Sequence, residues 1–152
     1  DDELVAVAAC RDGDHLLLAH DGGLVTRFAA TEARPMGRGA TGVAGLQVPD
    51  DRRVVAISVV PGGDDGLEVL TVAADGGARR TPLAEYPLKG RGGKGLQTGT
   101  DRLAWCGVAG SVHVPTGEDA VVLDTAAAAV GRRAGRLIPA TAVVTGPVVP
   151  LG

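Results

Sequence analysis

The chain has 152 residues, 45% of them apolar and 22% charged, with a formal net charge of −3. This balance excludes the low-hydrophobicity, high-charge class of disordered chains and leaves room for one domain or two very small ones. Aromatic residues make up 2%, a single Phe28, Tyr86 and Trp105, which excludes the aromatic stacking platforms of single-strand binders and leaves the core to Val, Leu, Ile and Ala.

The opening Asp1-Asp2-Glu3 is the reverse of a basic signal-peptide start, and no apolar run approaches the roughly 18 residues of a bilayer span. A soluble, intracellular chain with no membrane partner is expected. Cys10 and Cys106 each lie in an apolar stretch and are read as small buried hydrophobes, too few for a disulfide framework. His15, His20 and His113 have no partners at metal-ligand spacing, so no metal site is expected.

From residue 15 the pattern is β. An apolar run ends at Asp21-Gly22-Gly23, and a second, Leu67 to Val72, ends shortly before Asp75-Gly76-Gly77; such Gly turns supply the positive φ that tight hairpins demand. Val54 to Val60 is a strand by length and β-branching, and residues 61–66, rich in Gly and Asp, form a turn. Trp105 belongs to the core. Thr125 to Val130 is the best helix candidate, yet it is too short to hold a helix by Ala propensity alone.

Self-similarity runs along the chain. A strand, a Gly turn and a Gly/Arg loop recur around Gly37-Arg38-Gly39, Gly90-Arg91-Gly92 and, more weakly, Gly131-Arg132-Arg133. The units are about 3–50, 51–100 and 101–152, each read as roughly one four-stranded sheet. Repeats of this kind bury their faces on their neighbours. Three are too few to close a wheel, so the chain is expected to be part of a longer protein or to have its open ends covered by a partner.

Charge is unevenly placed. From Arg79 to Lys94 there are five bases (Arg79, Arg80, Lys89, Arg91, Lys94) against one acid, Glu85, so an anionic chain can still carry a basic stripe. In the loop Lys89 to Gly95, Gly90, Gly92, Gly93 and Gly95 lack the Cβ atoms that keep a backbone away from a phosphate, while Lys89, Arg91 and Lys94 bring charge on flexible stems. The loop matches neither a Walker A motif nor a dinucleotide fingerprint. It suits a polyphosphate; the plain alternative is a solvated loop. For Arg79-Arg80 the alternative is a sheet edge where bases discourage pairing.

Arg80-Thr81-Pro82-Leu83-Ala84-Glu85-Tyr86-Pro87, the box-like Lys89 to Gly95, Arg34 to Leu46, and Asp51-Arg52-Arg53-Val54-Val55 together resemble the C-terminal domain of the A subunit of bacterial type IIA topoisomerases, DNA gyrase and topoisomerase IV. The resemblance covers residues 13–97 and thins afterwards. It implies an all-β, propeller-like β-pinwheel, of which this chain holds about three blades of a longer five- or six-bladed wheel. It also implies a rim that bends double-stranded DNA. Lys89, Arg91 and Lys94 would contact phosphates, Arg38 and Arg132 would stand at the equivalent loops, and Arg27, Arg79 and Arg80 would extend the track. The box begins Lys89-Gly90 where the family's strongest form has Gln-Arg. Richness in Ala, Gly, Val and Arg is similar to that of high-GC actinobacterial chains.

The function so implied is non-catalytic DNA binding and wrapping within a cytoplasmic, nucleoid-associated, ATP-dependent enzyme. The partners would be the ATPase B subunit together with the rest of the A subunit. No cofactor would sit in this domain, ATP and magnesium belonging elsewhere. Tyr86, in a blade motif before Pro87, is not expected to be a nucleophile, the family's catalytic tyrosine lying in another domain. The rival readings are a propeller-like protein-interaction module without DNA binding and a small phosphate-ligand enzyme, for which no partner residue stands out.

Overall fold

The computed structural model of the chain describes residues 2–152. Eleven short strands are present: β1 (His15–His20), β2 (Leu24–Ala29), β3 (Val54–Val60), β4 (Glu68–Ala73), β5 (Gly77–Pro82), β6 (Leu96–Gln97), β7 (Leu103–Gly107), β8 (Ser111–Thr116), β9 (Asp119–Asp124), β10 (Ile138–Pro139) and β11 (Val149–Leu151). Among the described residues the only helical elements are four single 3₁₀ turns, one of them Thr125–Ala127 within the candidate helix. Among the described residues no helix is long and apolar enough to cross a membrane.

The strands form three antiparallel sheets ordered β3-β1-β2-β6, β10-β5-β4-β7 and β11-β8-β9. The first two hairpins turn as expected, through Gly23 at φ +84° and Gly76 at φ +91°. Packing demands glycine there as well: a Cβ on Gly23 would lie 1.6 Å from the Thr100 carbonyl oxygen, and one on Gly76 2.2 Å from that of Thr141. In each case the intruding backbone belongs to the loop that follows the next hairpin.

That intrusion is the organising feature of the fold, and it changes the expectation of one sheet per sequence unit. β6 belongs in sequence to the second unit but pairs with β2 of the first, Leu24 opposite Gln97 and Val25 opposite Leu96. β10 of the third unit pairs with β5 of the second in the same register, Gly77 opposite Pro139 and Ala78 opposite Ile138. β3 and β7 likewise complete the sheet of the preceding hairpin. Strand β5 has β4 on one side. On the other, β10 pairs with Gly77 and Ala78, and Val130 bridges Arg80, whose N–H donates to the Ala129 carbonyl and whose carbonyl accepts from Gly131, so the Arg79-Arg80 stretch is not an open sheet edge.

One apolar cluster runs through all three sheets, including Leu17, Val25, Val60, Leu70, Val72, Leu83, Tyr86, Trp105 and Val114. Trp105 is a buried member of it, as its apolar context predicts. Cys106 is buried beside it, its thiol 3.6 Å from the Thr71 hydroxyl, and burial raises its pKa to about 11. Cys10 departs from expectation. It is exposed, because residues 2–10 join no strand and Leu4 and Val7 remain four-fifths accessible.

Candidate nucleic-acid interface

The box-like loop is clamped between the first hairpin and the loop that follows it. The Lys89 N–H donates to the Arg27 carbonyl (2.8 Å), the Gly92 N–H to Gly45 (2.8 Å), and the Gln47 N–H to the Gly93 carbonyl (2.9 Å). The Arg91 N–H donates to the Glu32 carboxylate (3.2 Å), and the Arg91 guanidinium to the Ala44 carbonyl (2.6 Å). Gly95, at φ +86°, rests on β2, where a Cβ would come within 2.9 Å of the Val25 carbonyl oxygen. Thus Gly95 serves close packing inside the protein, and the Lys89, Arg91 and Gly92 amides are engaged by the protein itself rather than held open for an anion. What the loop offers outward is charge: Lys89 and Lys94 are exposed and flank one cleft of about 390 Å³.

The same clamp recurs one loop later, displaced by one residue from the repeat read in the sequence. The Arg133 N–H donates to the Glu85 carboxylate (2.6 Å) and its guanidinium to the Gln97 carbonyl (2.8 Å). Glu32 and Glu85 each close a 3₁₀ turn after a hairpin. With Ile138 standing where Leu96 stands in the ladder, Arg133 is the counterpart of Arg91, Arg136 that of Lys94, and Arg132 that of Gly90. Sequence reasoning missed Arg133 and Arg136. Their distance from the two-residue strand, equal to that of Arg91 and Lys94 from Leu96, was the available signal.

The expected cations separate into two groups. Arg38, Lys89, Lys94 and Arg132 are exposed, as is Arg136, and none of them forms a salt bridge among the described residues. Arg27 and Arg79 correct the expectation of a track extending over them, being only 3% and 1% accessible. The Arg27 guanidinium holds Asp65 (2.6 Å), the carbonyls of Tyr86 (3.1 Å) and Gly63 (3.2 Å), and His15 Nδ1 (3.1 Å). Arg79 is spent on the carbonyls of Thr98 (2.7 Å), Arg133 and Gly135 and on the Thr81 hydroxyl. Arg80 is half-buried, paired with Glu68 (3.0 Å) and with the Ala128 carbonyl (3.1 Å). A buried guanidinium is tolerated when its donors are satisfied by carbonyls and a carboxylate in this way.

Tyr86 is buried at 1% accessibility, and burial raises its phenol pKa. A phenol so enclosed cannot reach a scissile phosphate, so its part is in the packing of the blade.

The first two hairpins, whose sheets are finished by a strand from the following repeat, with Gly-rich loops at the junctions, define a propeller-like repeat protein of the pinwheel type. The sequence pattern of the family described as DNA gyrase C-terminal domain, beta-propeller, matches residues 14–61 and 67–102. The chain belongs to that family. It is 43% identical over 99 residues to the DNA gyrase A subunit of Deinococcus deserti and, equally, to that of Mycobacterium tuberculosis, matching 64% of this chain and 12% of each relative. The chain thus spans a small part of the length of these curated relatives. Among solved structures it resembles the C-terminal domain of DNA topoisomerase IV (TM-score 0.70, 16% identity, 79% of this chain and 40% of that one). It also resembles the DNA gyrase A C-terminal domain (0.66, 17%, 82% and 42%). These likenesses carry the fold.

Proposed function

We propose that this chain is a non-catalytic module, within the A subunit of a type IIA topoisomerase, that binds duplex DNA and bends it toward the enzyme's cleavage core. The observation that carries the reading is the pairing of exposed, unbridged Lys89 and Lys94 on a loop whose backbone is clamped on both sides. Positive charge is thereby presented without the freedom of a mobile loop, which suits phosphate contact that positions a duplex rather than reads its bases. Arg38 and Arg132 join these lysines as phosphate contacts, and Arg136 enters as the counterpart of Lys94. Arg91, Arg27, Arg79 and Arg80 act as positioning residues that hold the junctions.

Bending costs a few kcal/mol per turn-scale segment and is offset by phosphate contacts and counterion release. The partners in this reading are double-stranded DNA, the ATPase B subunit, plus the remainder of the A subunit, in the cytoplasm; ATP and magnesium are bound elsewhere in the enzyme. The test is a mobility shift with long duplex at low salt. The unaltered chain should retard it, and Lys89→Glu/Lys94→Glu should abolish retardation while the thermal midpoint stays in place. Retardation undiminished by the double substitution would overturn the assignment of this loop, and no retardation by the unaltered chain would favour a protein-interaction module.

A further inference from the structure

The first two hairpins each carry a staple arginine, and they give it different acceptors. In the second, Arg80 pairs with the Glu68 carboxylate (3.0 Å); in the first, the Arg27 Nε–H donates to His15 Nδ1 (3.1 Å). The positions correspond. Arg27 stands two residues before Ala29, which lies opposite His15, and Arg80 two before Pro82, which lies opposite Glu68. Each arginine then holds the loop that follows the next hairpin. Its guanidinium donates to the Tyr86 or Ala128 carbonyl, and its own carbonyl accepts from the Lys89 N–H (2.8 Å) or the Gly131 N–H (3.0 Å). One junction thus rests on a carboxylate and the other on an imidazole, the side chain whose ordinary titration falls between about pH 5 and 8.

His15 Nδ1 can accept from Arg27 only while it carries no proton. A proton there turns the acceptor into a donor and sets an imidazolium against a buried guanidinium, where water screens poorly. The ring has little room to turn away, since it lies against Gly63, where a Cβ would come within 2.7 Å of its Nε2. The guanidinium is freer to shift: its ion-pair partner Asp65 (2.6 Å) is 67% accessible, so the two can move toward solvent together. The other charges around the ring are already engaged. The neighbouring Asp14, with the Arg11 charge beside it, accepts from the Gly62 and Arg11 amides, and Asp64 accepts from the Gly66 amide. Strand β3, which faces His15 through Val60, has no charged residue.

We propose that His15 is a proton-operated latch on the loop from Pro87 to Gly95. Protonation at Nδ1 displaces the Arg27 guanidinium, frees the Tyr86 carbonyl and loosens the loop that carries Lys89 and Lys94, while the next junction, resting on Glu68, stays closed. Histidine protonation acts in this way wherever it biases a packed element between two arrangements. The inference concerns the fold alone and stands whether or not the loop meets DNA.

Amide hydrogen exchange of the 152-residue chain, without DNA, tests it. The Lys89 and Gly131 amides donate to the two staple arginines. The ratio of their protection, each corrected for intrinsic exchange, therefore cancels whatever the whole chain loses with pH. Between about pH 7.5 and 5.5 that ratio should fall about tenfold or more, the worth of one hydrogen bond to a charged group. His15→Asn keeps a carbonyl acceptor near the place of Nδ1 and does not titrate. His15→Glu reproduces the Glu68 arrangement with a carboxylate that ordinarily stays ionised over this range. In both variants the ratio should hold steady. A ratio unmoved in the unaltered chain, or one that falls as far in either variant as in the unaltered chain, would overturn the proposal.

Discussion

Arg27 and Arg80 occupy the same place in successive hairpins, each sending its guanidinium across to the carbonyl that follows the next 3₁₀ turn, Tyr86 for one and Ala128 for the other. Their surroundings differ. Arg27 is enclosed and has four partners, whereas the Arg80 side chain is 28% accessible. Arg27→Ala should therefore lower stability by about 2–4 kcal/mol, since carbonyls at a buried junction lose their donors. Arg80→Ala should cost about 1 kcal/mol or less, its ion pair being open to water. Urea unfolding of the two variants checks the order, and equal losses would contradict it.

Glycine is required at Gly23 for two reasons and at Gly42 for one. Gly23→Ala combines positive-φ strain with a clash on Thr100 and should cost more than about 2 kcal/mol. Gly42→Ala meets open space and should cost about 1 kcal/mol. Thermal midpoints of the two variants should separate accordingly.

If exposed lysines and arginines form the DNA contact, affinity should fall steeply with salt. Roughly five to eight phosphate contacts give a log–log slope of about −4 to −7. Lys89→Gln/Lys94→Gln should make that slope shallower by about 1.8, and Arg136→Gln by about 0.9. A titration series at several salt concentrations reads these changes directly.

His20 is buried, with its Nδ1 accepting from the Gly22 N–H (3.0 Å). Burial lowers its pKa from the ordinary 6.5. The unfolded chain therefore takes up a proton that the folded chain resists, and stability should decline as pH drops below about 6.5. Asp14 acts in the same direction at lower pH, its carboxylate being held down by the Gly62 and Arg11 amides. Stability that is full above the ordinary carboxylate range is lost as pH falls through the depressed value. His20→Asn should flatten the decline between about pH 6.5 and 5 in urea titrations and leave the lower limb in place.

The two thiols should part cleanly under a disulfide reagent. Cys10 is exposed and should react at once, while Cys106, buried and with its pKa raised to about 11, should react only on unfolding. Cys10→Ser should remove the fast phase alone.

The hairpins were legible because Gly23 and Gly76 punctuate β-rich runs, and Trp105 because its context is apolar. The buried arginines were not legible. Residues Val25 to Phe28 are all buried, so β2 lacks the alternation that would distinguish an inward guanidinium from an outward one; what encloses Arg27 comes from distant residues of the chain, Gly63, Asp65 and Tyr86. The slip between Arg132 and Arg133 arose because neighbouring arginines are interchangeable in a pattern, and only the pairing of Ile138 with Ala78 fixes which one is clamped. Cys10 was misplaced because a run of apolar residues says nothing of whether a partner surface exists. Within the site, Gly95 alone of the four loop glycines is a close-approach position, and what approaches it is the Val25 backbone; a Cβ on Gly90, Gly92 or Gly93 would meet nothing nearer than 3.5 Å.

The borrowing of β6 and β10 has a consequence for how the chain is made. The first sheet gains its last strand only when Gln97 has left the ribosome, and the second only after Pro139 has followed. A nascent chain halted between those points would carry one finished sheet and one open edge, the state in which strand-rich intermediates stick to one another. Rapid elongation through residues 98–139 would shorten that exposure, and a pause there would lengthen it.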